Sequence, residues 1–457
     1  MGFFKAYDMR GTFGVDFDLE TVVKVGRALP EVVPGRRWLV GRDCRETSVA
    51  VRDALVRGLV AAGAEVTDLG ECTTPMVYYF TAADEFDGSV MITASHNPPT
   101  DNGLKVSRRT ALPVGYADGL AQVERLILGP ALAPAAESGS VSLATEQTSA
   151  EFRRRYVAFL REMIGSEATR IDGLRLGIDC SNGMSSLLVK DLFPNAVVIN
   201  DVPDGRFPCH SPNPLQASAR EQIAELVRQQ RLDCGVIFDG DADRAMFVDE
   251  RGEFVQPDYL IPVLARAVRR GSLKSGKTVL HDVRTSRGAI EVLREDGFEP
   301  VMVPVGHAFA KPRMRATGAV CGGELAGHYY FGDFFGCDSG VLAALRICGE
   351  LARAKSDGHA FSQVMQPILG RYANSGELNF KVADKPAAIN RVLATVAEKF
   401  PQERSRSEMD GIRLEYDDGW FNVRLSNTEP YLRLLAEART ASILNEWLRI
   451  LSAAIGA

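Results

Sequence analysis

Trp38-Leu39-Val40-Gly41-Arg42-Asp43, an amphipathic stretch from Val49 to Ala62, and Ala64-Glu65-Val66-Thr67-Asp68-Leu69 read as strand, helix and strand. A strand that returns after a helical crossover pairs in parallel with the one before it, so the stretch is a βαβ unit. The same order recurs twice. Leu174-Arg175-Leu176-Gly177-Ile178-Asp179 leads to a helix near Ser185 to Leu192, then Ala196-Val197-Val198-Ile199. Thr278-Val279-Leu280-His281-Asp282 leads to a helix from Arg287 to Asp296, then Glu299-Pro300-Val301-Met302-Val303. Repetition of the unit predicts three related α/β domains with mixed, largely parallel sheets. Beyond Gly370-Arg371-Tyr372-Ala373-Asn374-Ser375-Gly376 the chain reads differently: strand, helix (Ala387 to Lys399), strands around 411–416 and 420–425, helix (Ala441 to Ala454). That order predicts a C-terminal α+β domain. The Pro/Ala/Gly/Ser-rich span 129–149 and the turn Glu250-Arg251-Gly252 suggest boundaries. The expected domains are 1–148, 149–250, 251–368 and 369–457.

With 457 residues, 46% of them hydrophobic, the chain can bury several cores. A net charge of -6 with mixed signs leaves no basic footprint for nucleic acid. Eight scattered cysteines, without C-x-x-C, suggest a reducing cytoplasm rather than a disulfide framework or zinc site. The start Met1-Gly2-Phe3-Phe4-Lys5-Ala6 carries no signal-peptide or myristoylation pattern, and no run of about 18 apolar residues is present to span a membrane. The expectation is a soluble, cytoplasmic protein with neither nucleic-acid nor membrane partners.

Between the apolar segments Cys234–Phe238 and Ala245–Val248 lies Asp239-Gly240-Asp241-Ala242-Asp243-Arg244. Carboxylates at every second position between two buried strands suit a hard cation such as Mg²⁺, which takes oxygen ligands and keeps positions open for a phosphate oxygen. Arg244 then reads as a phosphate partner. A solvated hairpin tip and an EF-hand Ca²⁺ loop compete with this reading. Against the second, the glycine required at the sixth position of such a loop is Arg244 here.

Three further constellations carry chemistry. In Val90-Met91-Ile92-Thr93-Ala94-Ser95-His96-Asn97-Pro98 a strand delivers Ser95 to its C-terminal end, where α/β folds gather their functional groups. Taken alone it also fits an ordinary serine turn, and it lacks the G-x-S-x-G of a serine hydrolase. Lys105 follows closely enough to reach back to it. Gly322-Gly323-Glu324-Leu325-Ala326-Gly327-His328, with Gly306 and His307 upstream, places a carboxylate and imidazoles on what reads as a flexible loop, suited to sugar hydroxyls. Structural roles for those histidines fit equally well. Arg424-Leu425-Ser426-Asn427-Thr428-Glu429-Pro430, with Arg433, combines bidentate forks and neutral donors as a phosphate cradle does.

Together these motifs, with Phe4-Lys5-Ala6-Tyr7-Asp8-Met9-Arg10-Gly11 at the start, resemble the α-D-phosphohexomutase superfamily, most closely its bacterial phosphomannomutase/phosphoglucomutase branch. The likeness runs over essentially the whole chain, in order. It implies four domains around a central cleft, each supplying one motif. It also implies a phosphoserine at Ser95, and one Mg²⁺ held by Ser95, Asp239, Asp241 and Asp243. Arg10, Lys105 and Arg244 would surround the transferred phosphoryl group, with Lys105, His96 or His328 moving the proton. Tyr7, Arg284, Gly306, His307, Glu324, Ala326 and His328 would contact the sugar phosphate. Arg424, Ser426, Asn427, Thr428 and Arg433 would grip the phosphate that is not reacting. The implied substrate is a hexose phosphate, the activator glucose 1,6-bisphosphate, and the assembly a monomer or small homo-oligomer.

Two positions depart from the branch: Ala326 stands where serine is expected and Arg284 where lysine is expected. No motif obviously reads the O2 that separates mannose from glucose, which favours dual specificity. Alternatives from neighbouring chemistry are a phosphoglucosamine mutase and a Mg²⁺-dependent sugar phosphatase in which Asp239 is the nucleophile.

Overall fold

The computed structural model describes residues 2–130, 139–271, 276–400, 402–425 and 431–456. Three of its four sheets repeat one plan. In the first, the strands Arg37–Arg42, Glu65–Glu71, Gly88–Ile92 and Asp101–Arg108 lie side by side in the order second, first, third, fourth. The first three are parallel, and the fourth returns antiparallel to the third. Leu176–Asp179, Val197–Ile199, Cys234–Phe238 and Ala245–Val248 take that same order in the second sheet. Thr278–Asp282, Glu299–Val303, Cys321–Gly323 and Tyr329–Phe331 take it in the third. The first sheet adds Met9–Thr12 against its fourth strand and Ser140–Ser142 beside its second.

The apolar runs form strands buried on both faces because helices cover each side. Trp38, Leu39 and Val40 are all fully buried, and successive side chains enter different cores. Trp38 and Val40 join the cluster with Val25 and Leu55, whereas Leu39 joins the larger cluster that continues through Leu176 and Val279. That larger cluster links the first three units into one packed body.

The fourth unit is antiparallel, with Gly419–Leu425 between Ile412–Tyr416 and Leu432–Ala438, and with helices Lys385–Lys399 and Ala441–Ile455 packed on the sheet. Its core is separate, built around Leu414, Phe421, Leu434 and Trp447. A small contact of Leu325 with Trp420 and Leu435 joins it to the third unit. Arg413, buried against Trp420, also donates from Nη1 to the Thr285 carbonyl at 3.2 Å.

Two local expectations differ. The expected helix near Ser185 to Leu192 divides into a 3₁₀ turn, Met184–Leu187, and a single helical turn, Val189–Leu192. Leu188, at φ -123°, breaks the run between them. His307 is not on a loop: it opens the helix His307–Thr317 directly after Gly306.

Candidate active site

All three functional loops of the repeated units occupy one topological place, the hairpin from third to fourth strand. Ser95 follows Gly88–Ile92, the aspartates follow Cys234–Phe238, and Glu324 to His328 follow Cys321–Gly323. Packing the units together therefore brings the loops together.

Asp239, Asp241 and Asp243 are buried, with carboxylate oxygens within 4.8 Å of one another. Ser95 Oγ donates to Asp239 Oδ2 at 2.7 Å. The loops touch closely enough that a Cβ on Gly240 would lie 2.6 Å from the Ser95 carbonyl oxygen, so only glycine fits there. Lys105, on the fourth strand of the first sheet, donates from Nζ to Asp241 Oδ2 at 2.7 Å and to Asp243 Oδ2 at 2.6 Å. Thr74 Oγ1 also donates to Asp241 Oδ2.

Burial and the charges of Asp243 and Asp241 push Asp239 well above the usual carboxylate range. Burial is the largest influence on Asp241 and Asp243 too and opposes their ionisation, but Lys105 together with Thr74 at Asp241, and with His328 and Arg244 at Asp243, leaves both below their ordinary values. Oδ1 of Asp241 and Oδ1 of Asp243 are buried without a hydrogen-bond partner among the described residues. An oxygen-only donor set with orphaned carboxylate oxygens fits a hard divalent cation such as Mg²⁺.

Around this pole stand further cations and two imidazoles. Arg10 donates from Nη2 to Asp8 Oδ2 at 2.6 Å and from Nη1 to Asn97 Oδ1 at 3.1 Å. His96 Nδ1 lies 3.3 Å from Ser95 Oγ. Its pKa is held well below the ordinary histidine value by burial and by Arg244 and Arg10. Arg244 Nε donates to His328 Nε2 at 2.9 Å, so His328 accepts there and carries its proton on Nδ1, 2.8 Å from Asp338 Oδ2. Lys311 Nζ lies 2.8 Å from the other Asp338 oxygen.

A second pole gathers guanidinium groups. Arg424 and Arg433 are cross-strand partners in the fourth unit. Arg424 Nη2 donates to Glu377 Oε1 at 2.9 Å, and Arg433 Nη1 to Glu377 Oε2 at 3.1 Å. Arg284 reaches the same carboxylate from the third unit, with Nη1 at 3.5 Å from Oε1, while Asp282 accepts from its Nε and Nη2. Ser426, Asn427 and Thr428 lie outside the described residues.

Between the poles lie the sugar-loop candidates. Glu324 accepts from the Tyr330 hydroxyl and sits 3.8 Å from Arg284 Nη2; burial raises its pKa. The segment from Glu324 to His328 is a tight turn rather than a flexible loop: Glu324 N donates to His328 O and Gly327 N to Glu324 O, each at 3.0 Å. Ala326 occupies that turn. Tyr7 donates to the Val305 carbonyl at 3.0 Å, and its ring packs on His307 and Phe309. Gly306, at φ +119°, lets the chain pass this ring, where a Cβ would stand 2.9 Å from Tyr7 Cζ.

Four family models match in chain order: the phosphoglucomutase/phosphomannomutase alpha/beta/alpha domain I over residues 1–128, domain II over 154–252, domain III over 256–372, and the C-terminal domain over 377–452. The chain belongs to the phosphoglucomutase/phosphomannomutase family. A protein named phosphohexose mutases from Xanthomonas campestris pv. campestris is 35% identical over 449 residues, covering 97% of this chain and 96% of its own. Phosphomannomutase of Escherichia coli strain K12 is 34% identical over 446 residues, covering 95% and 94%. A crystal structure of a phosphoglucomutase/phosphomannomutase family protein from Burkholderia thailandensis superposes with a TM-score of 0.83 at 29% identity, covering 100% of this chain and 98% of that one. This member of the family is accordingly an enzyme of the mutase class.

Sequence reasoning missed two side chains of this candidate site. Arg45 is buried and ion-paired to Asp43, and it donates to four backbone carbonyls of the serine loop: Pro98, Asp101, Ser95 and Asn97, at 2.6 to 2.9 Å. A signal for it exists. In each of the three repeated units an aspartate at or directly after the end of the first strand accepts through Oδ1 from the backbone N–H two residues on: Asp43 from Arg45, Asp179 from Ser181, Asp282 from Arg284. Arg45 and Arg284 are thus equivalent positions of a D-x-R turn. Glu377, the other omission, lies in no motif of its own.

Proposed function

We propose that this enzyme interconverts the 1-phosphates and 6-phosphates of mannose and of glucose by passing a phosphoryl group through Ser95. The observation that carries the reading is Ser95 Oγ donating to Asp239 Oδ2 at 2.7 Å within the three-aspartate cluster. A serine hydroxyl set among carboxylates and cations has the surroundings that phosphoryl transfer needs, charge neutralisation and alignment rather than covalent assistance. Asp239, Asp241, Asp243 and the Ser95 oxygen would hold one Mg²⁺, which neutralises charge on the travelling phosphoryl group.

With Ser95 phosphorylated, its Oγ–P bond breaks as a bond forms from phosphorus to the free hydroxyl of the bound hexose phosphate. The hydroxyl proton passes to a base, and hexose 1,6-bisphosphate results. After the sugar turns round, its other phosphoryl group returns to Ser95 Oγ and the vacated sugar oxygen takes up a proton. His96 is the imidazole beside the serine oxygen. His328, with both ring nitrogens engaged, is read as orienting Arg244. Arg10, Lys105 and Arg244 offset the charge on the reacting group. Glu324 and His307 are assigned to the sugar hydroxyls, and Arg284, Arg424 and Arg433, with Ser426, Asn427 and Thr428, to the phosphate at rest. Glucose 1,6-bisphosphate would prime Ser95.

We also place the domain limits at 1–148, 149–250, 251–368 and 369–457. Eight free thiols suit a cytoplasmic setting, and no helix among the described residues is long and apolar enough to cross a membrane.

The deciding assay supplies Mg²⁺ and a trace of glucose 1,6-bisphosphate, and compares mannose 1-phosphate, glucose 1-phosphate and glucosamine 1-phosphate at equal concentration. Comparable turnover of the first two is expected. Turnover of glucosamine 1-phosphate alone moves the enzyme to the phosphoglucosamine branch, and release of free phosphate without isomerisation sinks the mutase reading.

A further inference from the structure

Glu377 stands at the focus of three guanidinium groups drawn from two units. It takes one N–H each from Arg424 and Arg433, and the third contact, to Arg284, is long at 3.5 Å. A carboxylate offers two oxygens and one charge to three planar forks, each built to donate in pairs. A phosphate dianion offers three oxygens and about two charges to the same forks, and so suits the cluster better than the side chain that fills it. The environment is strongly cationic: burial opposes the charge on Glu377, yet Arg284, Arg424 and Arg433 hold its pKa down to about 2.

The backbone beside Glu377 is anchored, while the hydrogen bonds its carboxylate accepts from described residues all come from side chains. Ser375 N donates to Ala436 O at 3.0 Å, Ala436 N donates to Ser375 Oγ at 2.9 Å, and Leu378–Phe380 pairs with the strand Leu432–Ala438. Rotation of the Glu377 side chain alone can therefore vacate the guanidinium groups without unpairing a strand.

Resting on the phosphate-cradle reading above, we propose that Glu377 is an exchangeable internal anion. Its carboxylate yields Arg424, Arg433 and Arg284 to the resting phosphate of the substrate and reclaims them when that phosphate leaves. The exchange weakens the hold on any single phosphate, so that inorganic phosphate is not retained and a bisphosphate can let go of the cradle to turn round. Glu377 is in this sense a specificity-determining residue, selecting ligands that also engage the acidic pole.

Glu377→Gln keeps the shape and removes the charge. Calorimetric titration with inorganic phosphate is expected to show binding about tenfold tighter than in the unsubstituted enzyme, and KM for glucose 1-phosphate to fall by a similar factor. Phosphate binding that is unchanged or weaker in Glu377→Gln overturns the proposal and makes Glu377 a brace for the arginines. A measurement on the unsubstituted protein keeps the test open if the variant does not fold. The ¹³C resonance of the Glu377 side-chain carboxylate is expected to move toward that of a solvent-exposed glutamate on adding phosphate, and an unaltered resonance overturns the proposal. The mutase reading is judged separately: inactivity of the unsubstituted enzyme toward every hexose 1-phosphate defeats that reading, whereas an active enzyme whose Glu377→Gln variant gains no phosphate affinity defeats this one.

Discussion

The two poles of the cleft are inverse images. At one, two of the three carboxylates of a single hairpin, Asp241 and Asp243, hold the Lys105 ammonium; at the other, three guanidinium groups from two units converge on the Glu377 carboxylate. Each side chain sits among groups of opposite charge, and each stands where a ligand of the same sign and higher charge would also fit. A divalent cation suits the first and a phosphate the second. The poles differ in setting: the acidic pole sits between strands of the body formed by the first three units, while the basic pole spans the junction to a fourth unit with its own core. The proposed function puts chemistry at the pole within the three-unit body and grip at the pole that bridges to the fourth unit.

Substitutions at each end should separate those roles. Ser95→Ala is expected to lower mutase turnover by about 10⁴-fold or more, the scale seen when a covalent nucleophile is removed, in a coupled assay with both sugars. Substantial remaining turnover would transfer the nucleophile's role to Asp239. Asp241→Asn should lower kcat by roughly 10²–10³-fold. MgCl₂ is expected to raise the melting temperature of the unsubstituted protein and not that of Asp241→Asn, a readout independent of activity. At the basic pole, Arg424→Ala should raise KM roughly 10- to 100-fold with a smaller change in kcat, since the loss of a charged hydrogen bond worth about 1.5–3 kcal/mol falls on binding. A large fall in kcat with KM unchanged would erase the distinction between the poles.

Asp258 tests stability rather than activity: it is a buried carboxyl whose Oδ2 accepts from the Ser286 N–H at 2.9 Å. Burial, then the charges of Glu437 and Asp282, push its pKa up to about 7 despite that hydrogen bond. The folded state therefore binds a proton that the unfolded chain has already released. Stability from this group is present at low pH and is lost as pH rises from about 4 to about 7, by up to about 4 kcal/mol. Asp258→Asn should flatten that slope in urea melts at pH 5 and pH 8, and should stabilise the protein at pH 8.

Much of this was legible in the chain because parallel strands buried on both faces read as apolar runs, as Trp38 to Val40 and Val236 to Phe238 do. The loops were legible because their chemistry is concentrated within a few consecutive residues. What escaped depends on the fold itself. Arg45 pins a loop some 50 residues away through its backbone, which leaves no pattern in side-chain types beyond the D-x-R turn. Glu377 looks like any surface glutamate until Arg284, Arg424 and Arg433 converge on it. His307 read as a loop residue because Gly306 precedes it, yet that glycine is the position before a helix. The short segment after Gly183 read as a longer helix, because apolar spacing alone does not reveal the break at Leu188.

Ser95 holds a left-handed backbone, φ +52°, secured by the Thr93 hydroxyl and by Arg45 on its carbonyl. Among the alcohol-bearing amino acids this geometry discriminates sharply. A second substituent on Cβ crowds the chain in that region, so threonine, although chemically competent as a phosphoryl carrier, is penalised by shape. The backbone thus restricts the alphabet at this position, and a genetic screen for active replacements at residue 95 should return serine codons and leave threonine behind.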